Sequence, residues 1–329
     1  MKKIVSFFGE PSEVFRKLNE RAAQYAREKG FEYEWAPQIP FDPADVIARL
    51  KNADVGIIDV EPYNDEIFSQ IQGSTRLLVR FGVGYDKVDL DAAARRGIAV
   101  ARTAGANTPG VAEMAISLIL ALRRKLEENQ ACVRRGAWKK IVVHELIQST
   151  VGIVGFGSIG HALTKLLSGF DCRILAYDPF CSKEAMAEAG AEKVELEELF
   201  AQSDAISLHL PYTKETHNLV SDELLSKMKP SAVLVNTARG NIIDEDALYR
   251  VLSQKKIAGA ALDVFAQEPL PLTSPLLKLD NILLTPHVSS QTEESLWRIY
   301  AMAIDIAEEF ERTGTSRHIL NPGFAKNKT

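Results

Sequence analysis

The chain has only three cysteines, Cys132, Cys172 and Cys181, and no Cys-x-x-Cys pair. An odd number without that spacing argues against a disulfide framework or a structural zinc site, and fits a reducing compartment. A dense Lys/Arg block is missing too. The 39 basic residues against 44 acidic ones leave a net charge of −5, which supplies no positive field for nucleic acid. The longest apolar run, "VAEMAISLILAL" at 111–122, carries Glu113 and falls short of the ~20 residues that a bilayer demands. The opening "MKKIVSFFGE" meets Gly9 and Glu10 too soon for a secretory signal and reads as a β-strand. Internal repeats and low-complexity tracts are also lacking. These absences leave a soluble, cytoplasmic protein with a small-molecule site, and no nucleic acid, membrane or metal partner.

At 329 residues and 46% hydrophobic content, two cores are the default expectation. Short β-rich runs, "KKIVSFF", "DVGIID", "RLLVRFG" and "IAVAR", alternate with helical stretches such as 11–29 up to about residue 103. That alternation predicts a parallel sheet with helices on its faces. A long helix follows, with Thr108 as N-cap and Pro109 at the first helical position, running to about Ala131. A second series, "TVGIVG", "RILAYD", "AISLHL", "AVLVNTA", "AGAALDV" and "NILLTPH", predicts another doubly wound sheet. A last helix over about 291–312 places Leu296, Ile299, Ala303, Ile306 and Phe310 on one stripe, without saying which core receives it.

Chemistry concentrates in the second half. In "VGIVGFGSIG", Gly155, Gly157 and Gly160 are spaced G-x-G-x-x-G between a strand and a helix. The first glycine permits a tight turn, the second a close pyrophosphate and the third close helix packing, with the helix N-terminus supplying N–H groups. Eighteen residues past Gly160, "RILAYD" ends at Asp178, placed to accept ribose hydroxyls and to repel a 2′-phosphate. Lys183 is the only cation close behind it, so NAD is expected in preference to NADP. Arg239, Asp263, Glu268 and His287 also follow strand runs of this half, where an open parallel sheet binds its ligands. Read singly, each is as well explained as a loop charge, Arg239 pairing with Asp244 and Glu268 preceding a proline turn.

Read in order, "GFGSIG", "HLPYTKETHNLV", "VNTARGNIIDEDAL", "GAALDVFAQEP" and "TPHVSS" resemble the motifs of the D-isomer-specific 2-hydroxyacid dehydrogenases. "VRFGVGYDKVDLDAAARRGIAV" and "ANTPGVAE" extend the likeness over about residues 50–312. The wording is nearest to the D-3-phosphoglycerate dehydrogenase branch, although Arg102 and Ala104 depart from that branch. The resemblance implies an α/β fold of two doubly wound parallel-sheet domains. A flavodoxin-like substrate domain (1–104 and 290–329) would flank a Rossmann NAD-binding domain (105–289), with a dimer formed through the latter. It makes Arg239, Glu268 and His287 the catalytic trio. Substrate contacts fall to Arg80, Val83 and Gly84. Cofactor contacts fall to Gly155, Gly157, Ser158, Ile159, Gly160, Asp178, His209, Pro211, Thr216, Thr237, Ala238, Asp263 and His287.

The implied reaction moves a hydride between NAD(H) and C2 of a D-2-hydroxy or 2-keto acid. His287 would carry the proton, Glu268 orient it, and Arg239 clamp the substrate carboxylate. Phosphoglycerate oxidation leads, with hydroxypyruvate or glyoxylate reduction close behind. Arg80 and Arg102, after strands of the first half, predict a second anionic group on the substrate, the competing explanation being an Arg80 ion pair with Asp86 or Asp89. The rival from another class is a dinucleotide-sensing scaffold, because corepressors resembling this family keep the trio and the "GYD" wording at 84–86.

Overall fold

Five short runs of the chain's first third pair in parallel: β1 (Lys2–Ser6), β2 (Phe31–Trp35), β3 (Val55–Ile58), β4 (Leu77–Arg80) and β5 (Ala99–Arg102). Their order is β2-β1-β3-β4-β5, the flavodoxin-like arrangement. Every residue of β3 and β4 is buried, which is why both read as unbroken apolar runs. β2, "FEYEW", was not among the expected strands, because Glu32 and Glu34 interrupt its apolar character. It lies at the sheet edge, where Glu34 pairs with Lys3 (2.7 Å) and Arg49, and a charged edge resists pairing with other chains.

The computed structural model describes residues 1–327 and divides the chain into two compact units. Residues 1–107 and those from 291 onward form the first; residues 108–290 form the second. The helix Glu293–Thr313 therefore returns to the first unit. Thr292 caps it by accepting Ser295 N–H (3.1 Å), and Gly314 ends it in the left-handed region. Its stripe of Leu296, Ile299, Ala303, Ile306 and Phe310 is buried with Ile4, Val55 and Leu77, which settles whose core receives it.

The second unit holds β6 (Thr150–Val154), β7 (Arg173–Tyr177), β8 (Glu192–Lys193), β9 (Ala205–Leu208), β10 (Val233–Asn236), β11 (Gly259–Leu262) and β12 (Ile282–Leu284). The parallel order is β12-β11-β10-β9-β6-β7-β8. Strand order reverses between β6 and β9, the crevice where Rossmann sheets take dinucleotides. The long helix expected to run to about Ala131 is in fact two, Thr108–Arg123 and Leu126–Arg134, with Lys125 left-handed (φ 48°) between them. Arg123, the last residue of the first helix, is buried and donates to the carbonyl of Glu145 (2.6 Å). Among the described residues no helix is long and apolar enough to cross a membrane, and no three His, Cys, Asp or Glu side chains gather as a metal site needs.

Candidate active site

The glycine turn after β6 uses its three glycines differently. Gly155 has φ +95°, and a Cβ on it would lie 2.7 Å from the His209 carbonyl. A Cβ on Gly160 would lie 2.6 Å from the Gly155 oxygen, so both positions are closed by the protein's own backbone. Gly157 has an ordinary φ of −81°, and a Cβ there would meet nothing within 4 Å. Its neighbourhood is open space in front of the helix Ser158–Leu167, whose first turn no side chain caps. Ser158 and Ile159 thus open a helix with N–H groups available to an anion.

Asp178, just past β7, accepts Phe156 N–H and Phe180 N–H, each at 2.8 Å. The two bonds fix the carboxylate beside the glycine turn and leave each oxygen a lone pair for a hydroxyl donor. Thr216 closes the loop after β9 by donating to Pro211 O (2.8 Å) and accepting Thr213 N–H (2.7 Å). His209 meets Ser207 Oγ through Nε2 (2.9 Å), and burial of its ring pushes its pKa down to about 4, so it stays neutral. Its Nδ1 and the hydroxyl of Thr237 are buried without hydrogen-bond partners. Buried polar atoms seldom stay unmatched, so two orphans at strand ends, an open glycine and an uncapped helix fit a bound dinucleotide.

His287 stands beyond β12 with φ 54°, and its N–H donates to the Asp263 carbonyl (2.8 Å). Asp263 is fully buried. Its carboxylate accepts Thr285 Oγ1 (2.6 Å), Val288 N–H (2.9 Å), Ser289 N–H (2.9 Å) and the Ser289 hydroxyl. What the structure shows of Asp263 is therefore the supporting role: it holds the turn that presents the imidazole. Glu268 Oε2 lies 2.8 Å from His287 Nδ1, and Glu268 Oε1 accepts Phe265 N–H (3.0 Å). Burial opposes the charge on Glu268, yet the bonds from His287 and Phe265, with Arg239 nearby, hold its carboxyl below the usual range. With Nδ1 engaged, Nε2 is the nitrogen left to exchange a proton.

Arg239 follows β10 on a turn pinned by Asn236, which accepts Ala238 N–H (3.0 Å) and donates to Arg239 O (2.9 Å). Sequence reading missed Asn236, whose place inside a strand motif gives no sign of this work. Asp244, the expected alternative partner of Arg239, instead caps the helix Glu245–Ser253 through Ala247 N–H (3.0 Å).

In the first unit, Arg80 is 7% exposed, donates to Phe81 O and lies 3.6 Å from Asp59. Asp59, at the end of the neighbouring strand, is thus one acidic partner of Arg80. Asp89 caps the helix that follows, through Ala92 N–H (2.9 Å). Arg102 approaches Val83 O (3.5 Å) and lies over the Tyr85 ring (5.3 Å). Both cations thus make contacts within the chain, to Phe81 O, Asp59, Val83 O and the Tyr85 ring. The backbone N–H groups of Val83 and Gly84 have no partner among the described residues.

A Rossmann sheet with an open glycine cradle, a ribose-type carboxylate and a Glu–His couple beside an arginine defines a dinucleotide-dependent oxidoreductase. The profile for "D-isomer specific 2-hydroxyacid dehydrogenase, NAD binding domain" matches residues 116–289. A glyoxylate reductase of Korarchaeum cryptofilum is 37% identical over 95% of this chain and 96% of its own length. A D-3-phosphoglycerate dehydrogenase of Archaeoglobus fulgidus is 37% identical over 86% of this chain, which spans only 54% of that protein. The structure of a D-2-hydroxyisocaproate dehydrogenase superposes with a TM-score of 0.87 at 27% identity, covering 98% of this chain and 100% of the other. The chain belongs to the D-isomer-specific 2-hydroxyacid dehydrogenase family. It is an enzyme, its cofactor is NAD, and its reaction is the interconversion of 2-hydroxy and 2-keto acids.

Proposed function

We propose that the protein reduces a small 2-keto acid with a single carboxylate, glyoxylate or hydroxypyruvate, using NADH. The observation that carries this reading is the internal engagement of Arg80 and Arg102. Beside Arg80, half-buried Glu61 has its pKa raised by burial and by the neighbouring Asp59, so this strand end is already rich in negative charge. A substrate phosphate there would meet two carboxyl groups for one occupied guanidinium.

NADH, when bound, supplies the hydride. His287 donates a proton to the forming alkoxide through Nε2, and Glu268 favours the charged imidazole that holds it. Arg239 binds the carboxylate and polarises the carbonyl. In the reverse direction His287 is the base. Val83 and Gly84 N–H groups are assigned to the substrate anion, and Arg80 to the loop that presents them. Asp178 underlies a preference for NADH over NADPH. A homodimer through the NAD-binding unit agrees with Trp138 (85% exposed) and Val142 (94% exposed) on the stretch that follows its second helix. A cytoplasmic location agrees with three free cysteines.

The decisive experiment compares kcat/KM, by NADH absorbance, for glyoxylate, hydroxypyruvate and phosphohydroxypyruvate. The reading expects the first two to win by tenfold or more. A preference for the phosphorylated acid overturns it, and a dead panel with intact NADH binding points to the dinucleotide-sensing scaffold.

A further inference from the structure

Glu245 opens the helix Glu245–Ser253, a position where an acid ordinarily needs no explanation beyond the helix dipole. Its side chain does something else. Oε1 accepts the N–H of Ala266 at 2.6 Å, from the loop after β11 and 21 positions along the chain. The preceding N–H, of Phe265, is the one that donates to Glu268, whose other oxygen meets His287. Gly240, next to Arg239, abuts the same Phe265–Ala266 peptide so closely that a Cβ there would overlap the Phe265 carbonyl. One peptide is thus held by Gly240 on the Arg239 side and by Glu245 at its N–H, while its neighbour sets the Glu268 carboxylate.

We propose that Glu245 is a positioning residue for the Glu268–His287 pair, fixing the 265–268 turn so that Glu268 meets the imidazole along one direction only. This rests on the proton-carrier reading of His287. The charged groups around Glu245 are Asp246 on its own helix and Glu268 on the facing loop, with Arg239 beside Glu268. Burial raises the pKa of Glu245, and both acids push it the same way against the Ala266 bond. A carboxyl kept there at such a cost points to a task in the turn it holds.

The test compares Glu245→Ala with Glu245→Gln, which keeps an acceptor at the same reach. Small misplacements near reacting atoms cost up to ~10²-fold in rate, so Glu245→Ala is expected to lower kcat about tenfold or more while KM for NADH moves less than about twofold. Glu245→Gln is expected to recover most of kcat. Independently of turnover, NMR of ¹³Cε1-labelled histidine, with His287 assigned by its loss in His287→Asn, reads the imidazole directly. Its ¹³Cε1 resonance is expected to shift in Glu245→Ala, and by less in Glu245→Gln. If the parent turns over no keto acid, the proposed function fails while this resonance still decides the role of Glu245. Should Glu245→Ala not fold, Glu245→Ser, too short to reach Ala266, takes its place. An unaltered His287 resonance in the shortened variant, or equal losses in both variants with a parallel fall in Tm, overturns the proposal.

Discussion

The carboxyl edges of the two sheets are built alike and finished differently. In the first unit the charges at strand ends turn inward: Arg80 pairs with Asp59 and Phe81 O, and Arg102 braces Val83 O. In the second, His209 Nδ1 and Thr237 Oγ1 are buried with no partner, and Gly157 faces open space. Similar topology therefore does not dictate similar use. The difference lies in the charges and not in every polar group, since Ser6 Oγ at the end of β1 is buried without a partner among the described residues and the Val83 and Gly84 N–H groups are unpaired there.

That contrast can be broken at four points, the largest effect first. His287→Ala, at the open edge, is expected to lower kcat by ~10² to 10⁴ while NADH binding, followed by fluorescence titration, stays nearly intact. Turnover close to the parent's would remove His287 as the proton carrier. Arg80→Ala, in the first unit, removes the pair with Asp59 and is expected to cost roughly 2–3 kcal/mol in denaturant unfolding, below the ~3–5 of a fully buried pair because Asp59 is partly exposed. Its kcat/KM should fall evenly across keto acids, whereas a loss confined to anionic-tailed substrates would return Arg80 to the ligand.

Thr237→Val removes a hydroxyl that no group among the described residues uses, so stability should hold within about 0.5 kcal/mol while the Kd for NADH rises roughly three- to tenfold. A large fall in Tm with unchanged Kd would mean the orphan has a structural partner after all. A fourth point of contrast is in pH. Burial depresses His209 from 6.5 to about 4, so below pH 6.5 the unfolded chain binds the proton more readily than the folded one. The stability from this group is complete above pH 6.5 and is lost as pH falls toward 4. Tm profiles of the parent and His209→Gln should converge across that window if the assignment is right.

Both sheets were legible in the sequence because their central strands are largely apolar, while edge strands β2 and β8 were not, since Glu32 and Glu34 interrupt the first, where Glu34 serves ion pairs, and the second is two residues long. The break after Arg123 was also invisible. "LRRKLEEN" keeps helical propensity throughout, and the left-handed backbone at Lys125 that interrupts it has no signal there. Arg239, Glu268 and His287 announced themselves by motif. Asn236 and Glu245 did not, for each works by a bond to a backbone atom, and the latter bond spans 21 positions. Asp59 was missed as a partner of Arg80 for a similar reason: it lies on the neighbouring strand's end, not nearby in sequence.

The left-handed backbone at His287 reaches beyond geometry. Most residue types pay ~1–2 kcal/mol to sit there, whereas His, Asn and Asp are enriched in that region and glycine enters it freely. A saturation library at position 287 would therefore pass through two sieves in series. Foldedness would be retained mainly by Gly, Asn and Asp, with β-branched substitutions lost first, and proton transfer would then separate His from those survivors. The position thus has a very small working alphabet, and any lineage that drifts away from hydride chemistry should keep the fold here through glycine or asparagine before it tries anything larger.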